Sequence, residues 1–155
     1  MTPLALTLGE PAGIGPDIAL AAWLQREALQ LPPFYILGDA GFIAARAKML
    51  GLDIVLNDAT PENAADIFAS ALPVVPTGVQ TTASPGRPDY SSAPSAIASI
   101  TQAVDHVAAG RAAAVVTNPI AKSVLYRAGF SHPGHTEFLA ELAGRDRPRR
   151  DRPPA

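Results

Sequence analysis

Five short apolar stretches, four of them ended by a turn residue and each followed, directly or after a loop, by a helical pattern, constrain this chain more than any other feature. They are "PLALTLG" (3–9), "FYILG" (34–38), "LDIVL" (52–56), "LPVVP" (72–76) and "AAAVVTNP" (112–119). Stretches this short suit strands, and apolar content without strict alternation suits strands covered on both faces. The intervening patterns predict helices over 16–30, from Asp39 to about 50, over about 61–70, over 93–110, over 120–129 and over about 135–143. Pro16 and Asp17 favour a helix start, Asp39 is a good N-cap, and Gly51, Gly110 and Gly129 mark helix ends. Residues 77–93, rich in Pro, Gly, Ser and Thr, read as a long loop. Strands alternating with helices imply crossover connections and an α/β fold with a mainly parallel sheet.

The chain has 155 residues, 48% of them apolar and 17% charged, enough for one folded domain. It has no cysteine, which excludes disulfides and thiolate metal sites. No run approaches the ~18–20 apolar residues of a membrane span, and no basic region precedes an apolar core, so a cytoplasmic location is expected. Five of the twelve basic residues (Arg145, Arg147, Arg149, Arg150, Arg152) lie in the last eleven positions, leaving seven against twelve acidic over residues 1–144. The body therefore offers no basic face to nucleic acid. The expected division is an α/β domain over 1–144 and a disordered Arg/Pro-rich tail over 145–155.

Three segments at strand ends carry the residues that could do chemistry. "LTLGEPAGIGPD" (6–17) places Gly9, Gly13 and Gly15 between a strand and a helix, where ligands bind in open α/β sheets. Its spacing fits neither the dinucleotide fingerprint nor the Walker loop, and a structural turn and a ligand loop both remain open. "VVTNPIAK" (115–122) offers Asn118 at the strand end and Lys122 one turn into the helix, and a capped helix with a surface lysine is the plainer reading. In "GFSHPGHTEFLAEL" (129–142), His132 and His135 flank a Pro-Gly turn that should point them apart, and zinc takes three or four ligands. His135 opens a helix, where the dipole disfavours imidazolium, and Thr136 adds a hydroxyl. Together they suit an anionic or hydroxylated small ligand, or they only cap the helix. His106, within the 93–110 helix, reads as half-buried packing or surface.

"GEPAGIGPD", "VTNPIAKSVLYRAG" and "HPGHTEFLAELAG", in that order, resemble the 4-hydroxythreonine-4-phosphate dehydrogenase family of vitamin B6 biosynthesis, over residues 1 to about 148. The resemblance implies an isocitrate/isopropylmalate-dehydrogenase-like α/β fold and a homodimer. It implies oxidation of 4-phosphooxy-L-threonine with NAD or NADP, followed by decarboxylation, with a divalent metal (Zn, Mg or Co) polarising the oxygen. The family's substrate-binding His-Thr pair falls on His135 and Thr136. By analogy, Asn118 and Lys122 border the same cleft, and His132 becomes an ordinary loop residue. The partner implied is a small phosphorylated substrate, with neither nucleic acid nor membrane.

The family's metal-binding histidines and second half lie beyond "GRDRP", where this chain reads "RRDRPPA". A truncated or frame-shifted product is therefore expected, with negligible dehydrogenase activity alone and with sheet edges left uncovered. The alternatives are a non-catalytic remnant that binds a phosphorylated small molecule and a phosphate acyltransferase-like protein.

Overall fold

The computed structural model describes residues 1–144, and the Arg/Pro-rich stretch expected to be disordered lies outside the described residues. Five strands, β1 (Leu4–Thr7), β2 (Phe34–Gly38), β3 (Leu56–Asp58), β4 (Leu72–Pro76) and β5 (Val115–Val116), form one sheet of order β3-β4-β2-β1-β5. Every pairing is parallel. The helices are α1 (Gly15–Leu24), α2 (Ala40–Met49), α3 (Ala64–Ile67), α4 (Ala93–Ala108), α5 (Lys122–Arg127) and α6 (His135–Gly144).

The two-residue period of a strand sorts the core into two layers. Leu6, Leu8, Ile36, Leu72 and Val74 pack with Leu20 and Trp23 of α1 and Ile43 of α2. Ala5, Tyr35, Leu37 and Val75 face the other way, onto Ala64 of α3 and Ala103 of α4. Helices therefore cover both faces, which is why the strands read as continuous apolar runs.

Polar side chains tie the layers together. Ser99 of α4 donates to Leu37 O at 2.8 Å and accepts from Leu8 N at 2.8 Å, joining the ends of β1 and β2. Arg46 of α2 is buried, pairs with Asp17 of α1 at 3.1 Å and donates to Pro11 O at 2.6 Å. Trp23 donates its indole N–H to Phe68 O at 2.9 Å.

Several boundaries differ from those the sequence predicts. α1 stops at Leu24, not at 30, because Arg26 lays its guanidinium over the Trp23 ring at 3.9 Å and donates to Ala69 O at 2.6 Å. The chain then turns back through Gln30, whose φ is 50°. The third strand pairs over Leu56–Asp58, not 52–56. Leu52 and Ile54 do pack on the core, but the backbone reaches β4 only where Leu56 meets Leu72. The helix expected over 61–70 is the single turn α3, and the last predicted strand pairs only at Val115 and Val116. Asp39 caps α2, accepting from Gly41 N at 2.9 Å, and Gly51 ends it with a φ of 67°.

Candidate functional site

The carboxyl ends of β1 and β5 meet through one side chain. Asn118 is buried, and its amide donates to Thr7 O at 2.9 Å while its backbone N–H donates to Thr7 Oγ1 at 3.0 Å. The glycine turn closes over this pair. A Cβ on Gly9, whose φ is 72°, would lie 2.6 Å from Pro119 O, and one on Gly15 would lie 2.5 Å from Leu8 O and 3.0 Å from Asn118 Cβ. The close approach that these two glycines permit is thus to the protein's own backbone. Among the two readings of this segment, the packing favours the structural turn.

Beyond Pro119 the chain runs through Ile120 and Ala121 into α5, which opens with the exposed Lys122. After Gly129 the segment folds back on α6. The ring of His132 lies 5.0 Å from those of both Phe130 and Phe138, and its Nε2 faces the Glu141 carboxylate. Phe138 and Leu142 seat α6 on Ile100 and Val104 of α4. His132 thus lies in the loop between α5 and α6, where two aromatic faces and an acid enclose it.

This fold-back brings α5 and the start of α6 together. A Cβ on Gly134 would lie 3.6 Å from Lys122 Nζ and 3.4 Å from Glu137 Oε2, so the lysine head sits at the Pro-Gly turn. His135 is half-buried, and its Nε2 is enclosed without a hydrogen-bond partner. Burial, and then the Lys122 ammonium, hold its imidazolium pKa below the ordinary value, so the ring is neutral near pH 7. Thr136 is exposed beside it at the helix start. The structure thus joins Lys122 to His135, whereas Asn118 spends its amide on Thr7.

His106 is buried at 8% exposure, with Nδ1 2.9 Å from the Tyr35 hydroxyl, so it belongs to the core and not to the surface. Burial lowers its pKa and raises that of Tyr35 to about 12. Among the described residues no three His, Cys, Asp or Glu side chains converge to hold a metal ion. The glycine turn packs on Leu8, Asn118 and Pro119 through Gly9 and Gly15, while Glu10, Ala12, Gly13 and Ile14 line an open hollow of about 370 Å³ with Gly86 and Ile120.

Two features escaped the sequence reading. Glu10 is buried, accepting from Ala12 N at 3.0 Å and from Ser92 Oγ at 3.1 Å. The 77–93 segment walls a cleft of about 790 Å³ with α2, lined by Asp39, Phe42, Thr81, Thr82, Asp89 and Ser91 among others. Asp39 accepts from Thr81 N there at 2.9 Å. The hydroxyl pairs Thr81-Thr82 and Ser91-Ser92 were the available signal.

These features define a parallel α/β domain whose polar groups gather beyond the carboxyl ends of its strands. The chain belongs to the PdxA family: the model of the pyridoxal phosphate biosynthetic protein PdxA matches residues 30–150. It is 64% identical over 152 residues to the 4-hydroxythreonine-4-phosphate dehydrogenase of Bradyrhizobium diazoefficiens, covering 93% of this chain and 44% of that one. The enzyme of the same name from Xanthobacter autotrophicus is 58% identical, with 92% and 41% covered. Among solved structures, the 4-hydroxythreonine-4-phosphate dehydrogenase of Burkholderia phymatum superposes with a TM-score of 0.83 at 22% identity, covering 93% of this chain and 44% of that one, a likeness of fold. That of Klebsiella pneumoniae gives 0.72 at 28% identity, with 92% and 44% covered. The chain spans less than half the length of these relatives. No helix among the described residues is long and apolar enough to cross a membrane.

Proposed function

We propose that this chain carries a substrate-anchoring portion of an NAD(P)-dependent 4-hydroxythreonine-4-phosphate dehydrogenase. The reaction proposed for a protein of the relatives' full length oxidises the alcohol of 4-phosphooxy-L-threonine to a ketone and releases carbon dioxide. It acts as a homodimer in pyridoxal phosphate biosynthesis. Residues 1–144 contribute anion and hydroxyl recognition. Lys122 supplies a cation, His135 a neutral imidazole with a free ring nitrogen, and Thr136 a hydroxyl and an early-helix N–H.

One observation carries this reading: Lys122 Nζ and the unpartnered His135 imidazole meet at the Gly134 turn. Because the His135 ring is neutral, the Lys122 ammonium is the positive charge that draws an anion to the turn, in competition with the Glu137 carboxylate beside it. A phosphate or carboxylate there is attracted by the ammonium, and contact with His135 requires the turn to open around the enclosed Nε2. The names of the relatives, which specify a phosphorylated hydroxy-amino acid, agree with that chemistry.

Calorimetric titration with 4-phosphooxy-L-threonine, and with unphosphorylated 4-hydroxythreonine as a control, tests the proposal. The phosphorylated ligand should bind, and Lys122→Ala and His135→Ala should each weaken it about tenfold, the loss of one charge-assisted contact. Equal affinity for both ligands, or affinity indifferent to both substitutions, would overturn it.

A further inference from the structure

Glu10 and Arg46 are both buried, but only one of them has a counter-ion. Arg46 pairs with Asp17 at 3.1 Å. Glu10 is 5% exposed, and among the described residues no lysine, arginine or histidine forms an ion pair with it. Carboxylates are seldom buried without such a partner. The two donors that Glu10 does have are neutral, and one is shared. Oε1 accepts from Ala12 N at 3.0 Å and Oε2 from Ser92 Oγ at 3.1 Å, but the Ser92 hydroxyl also faces Asp89 O at 2.9 Å. One hydroxyl hydrogen cannot serve both acceptors at once, and a carboxylate offers about four acceptor sites.

Among the described residues, Glu10 is also the one polar side chain on the wall of the hollow of about 370 Å³. Ile14, Pro88, Pro119, Ile120 and Ala121 make most of the remainder apolar. The backbone carbonyls nearby are already engaged. Glu10 O accepts from Gly13 N at 2.9 Å, Ala12 O from Gly86 N at 2.8 Å, and Pro119 O from Glu10 N at 2.8 Å. A bare metal cation would therefore meet one carboxylate in place of about six oxygen ligands. An anion would meet the wrong charge. What matches this wall is a positive head on a hydrocarbon stem, with N–H donors for the carboxylate and methylenes for the apolar sides.

We propose that this hollow binds a primary alkylammonium group, with Glu10 as its acceptor. Ile120 and Ala121 on the wall lead directly into Lys122, so the ammonium can arrive on either of two carriers. One is a free aliphatic amine. The other is the α-ammonium of the amino-acid ligand proposed above, held by its phosphate at Lys122. On that second carrier Glu10 becomes a specificity-determining residue, which favours an amino acid over the same phosphorylated acid without its nitrogen. The second carrier rests on the reading of Lys122 and His135, whereas the ammonium site itself rests on the burial and the unfilled acceptor sites of Glu10.

An NMR titration of residues 1–155 with n-butylammonium chloride tests the site directly. The Ala12, Gly13 and Gly86 amides should shift saturably, Ala12 because its N–H donates to the receiving carboxylate. Butanol and sodium chloride at the same concentrations should not move them. Glu10→Gln keeps an oxygen for Ala12 N but loses the charge, and should weaken the amine at least about tenfold. Where circular dichroism shows that variant unfolded, Ala121→Met replaces it. It narrows the hollow with the carboxylate left in place, and should weaken the amine in the same direction. Absence of the shifts, equal shifts with butanol, or an affinity that the variant leaves unchanged would overturn the proposal. Calorimetry with 4-phosphooxy-L-threonine and its deaminated analogue, 3-hydroxy-4-phosphooxybutanoate, then names the carrier. An analogue about tenfold weaker, by a margin that Glu10→Gln abolishes, assigns the hollow to the ligand's own ammonium. Equal affinities alongside the butylammonium shifts assign it to a free amine. Failure of both phosphorylated ligands to bind would overturn only the reading at Lys122 and His135, because the butylammonium titration stands without them.

Discussion

Asn118 grips Thr7 twice, by side-chain amide to carbonyl at 2.9 Å and by backbone N–H to hydroxyl at 3.0 Å, and so fastens the carboxyl ends of two neighbouring strands. Both residues are buried. Asn118→Ala leaves the Thr7 carbonyl without its amide donor, and Thr7→Val leaves the Asn118 N–H without its acceptor. Each should cost about 1–3 kcal/mol in denaturant unfolding. Because they share one linkage, the double variant should fall short of the sum.

The glycine turn gives a steric prediction. Gly15→Ala would drive a methyl to within 2.5 Å of Leu8 O and 3.0 Å of Asn118 Cβ, and backbone cannot step aside as a flexible side chain can. Gly110→Ala meets no atom within 4 Å and carries only the strain of a φ of 72°. Thermal unfolding should show Gly110→Ala losing about 1 kcal/mol and Gly15→Ala clearly more, to the point of misfolding.

His106 should make the fold acid-sensitive. Its folded pKa is depressed by burial below the ordinary 6.5, so between those two values the unfolded chain binds more protons than the folded one. The stability it contributes is fully present above about pH 6.5 and is lost as pH falls through the folded pKa. His106→Gln should flatten the stability profile on the acid side. The opposite limb belongs to Tyr35, whose pKa of about 12 stands above the ordinary 10.0, so stability should fall as pH rises from 10 towards 12.

The proximity of Lys122 to His135 is readable without any ligand. Burial is the larger cause of the lowered His135 pKa and the Lys122 charge the second. An NMR titration of the Lys122→Met variant should therefore find the His135 pKa moved up, part of the way towards 6.5. An unmoved value would mean that the two groups are not neighbours in solution.

The parts of the fold that were legible were those written in local chemistry. Asp39 and Gly51 bracket α2 because a cap and a left-handed stop act within a few residues. β2 and β4 could be read because short apolar runs, broken only by Gly38, Pro73 and Pro76, suit a strand with little room to shift. Where tertiary contacts decide, local pattern misleads. Arg26 ends α1 early for the sake of Trp23 and Ala69, and the third strand waits for β4 before pairing. The site divides the same way. The helix start at His135 was legible, whereas α5 begins at Lys122 and not at 120, and the convergence of the two depends on a fold-back held by Phe130, His132 and Phe138. Buried Glu10 and Arg46 resemble surface charges in sequence, since only the packed structure shows the backbone groups they serve.

The chain contains one tryptophan, and it sits where α1, Arg26 and the backbone after α3 converge. Its emission is therefore an intrinsic gauge of whether that junction is closed. An indole enclosed by apolar atoms, hydrogen-bonded to Phe68 O and stacked beneath a guanidinium should shift to longer wavelength once water replaces those neighbours. Every substitution proposed above spares Trp23, so one unlabelled optical signal can compare all of them on a common scale.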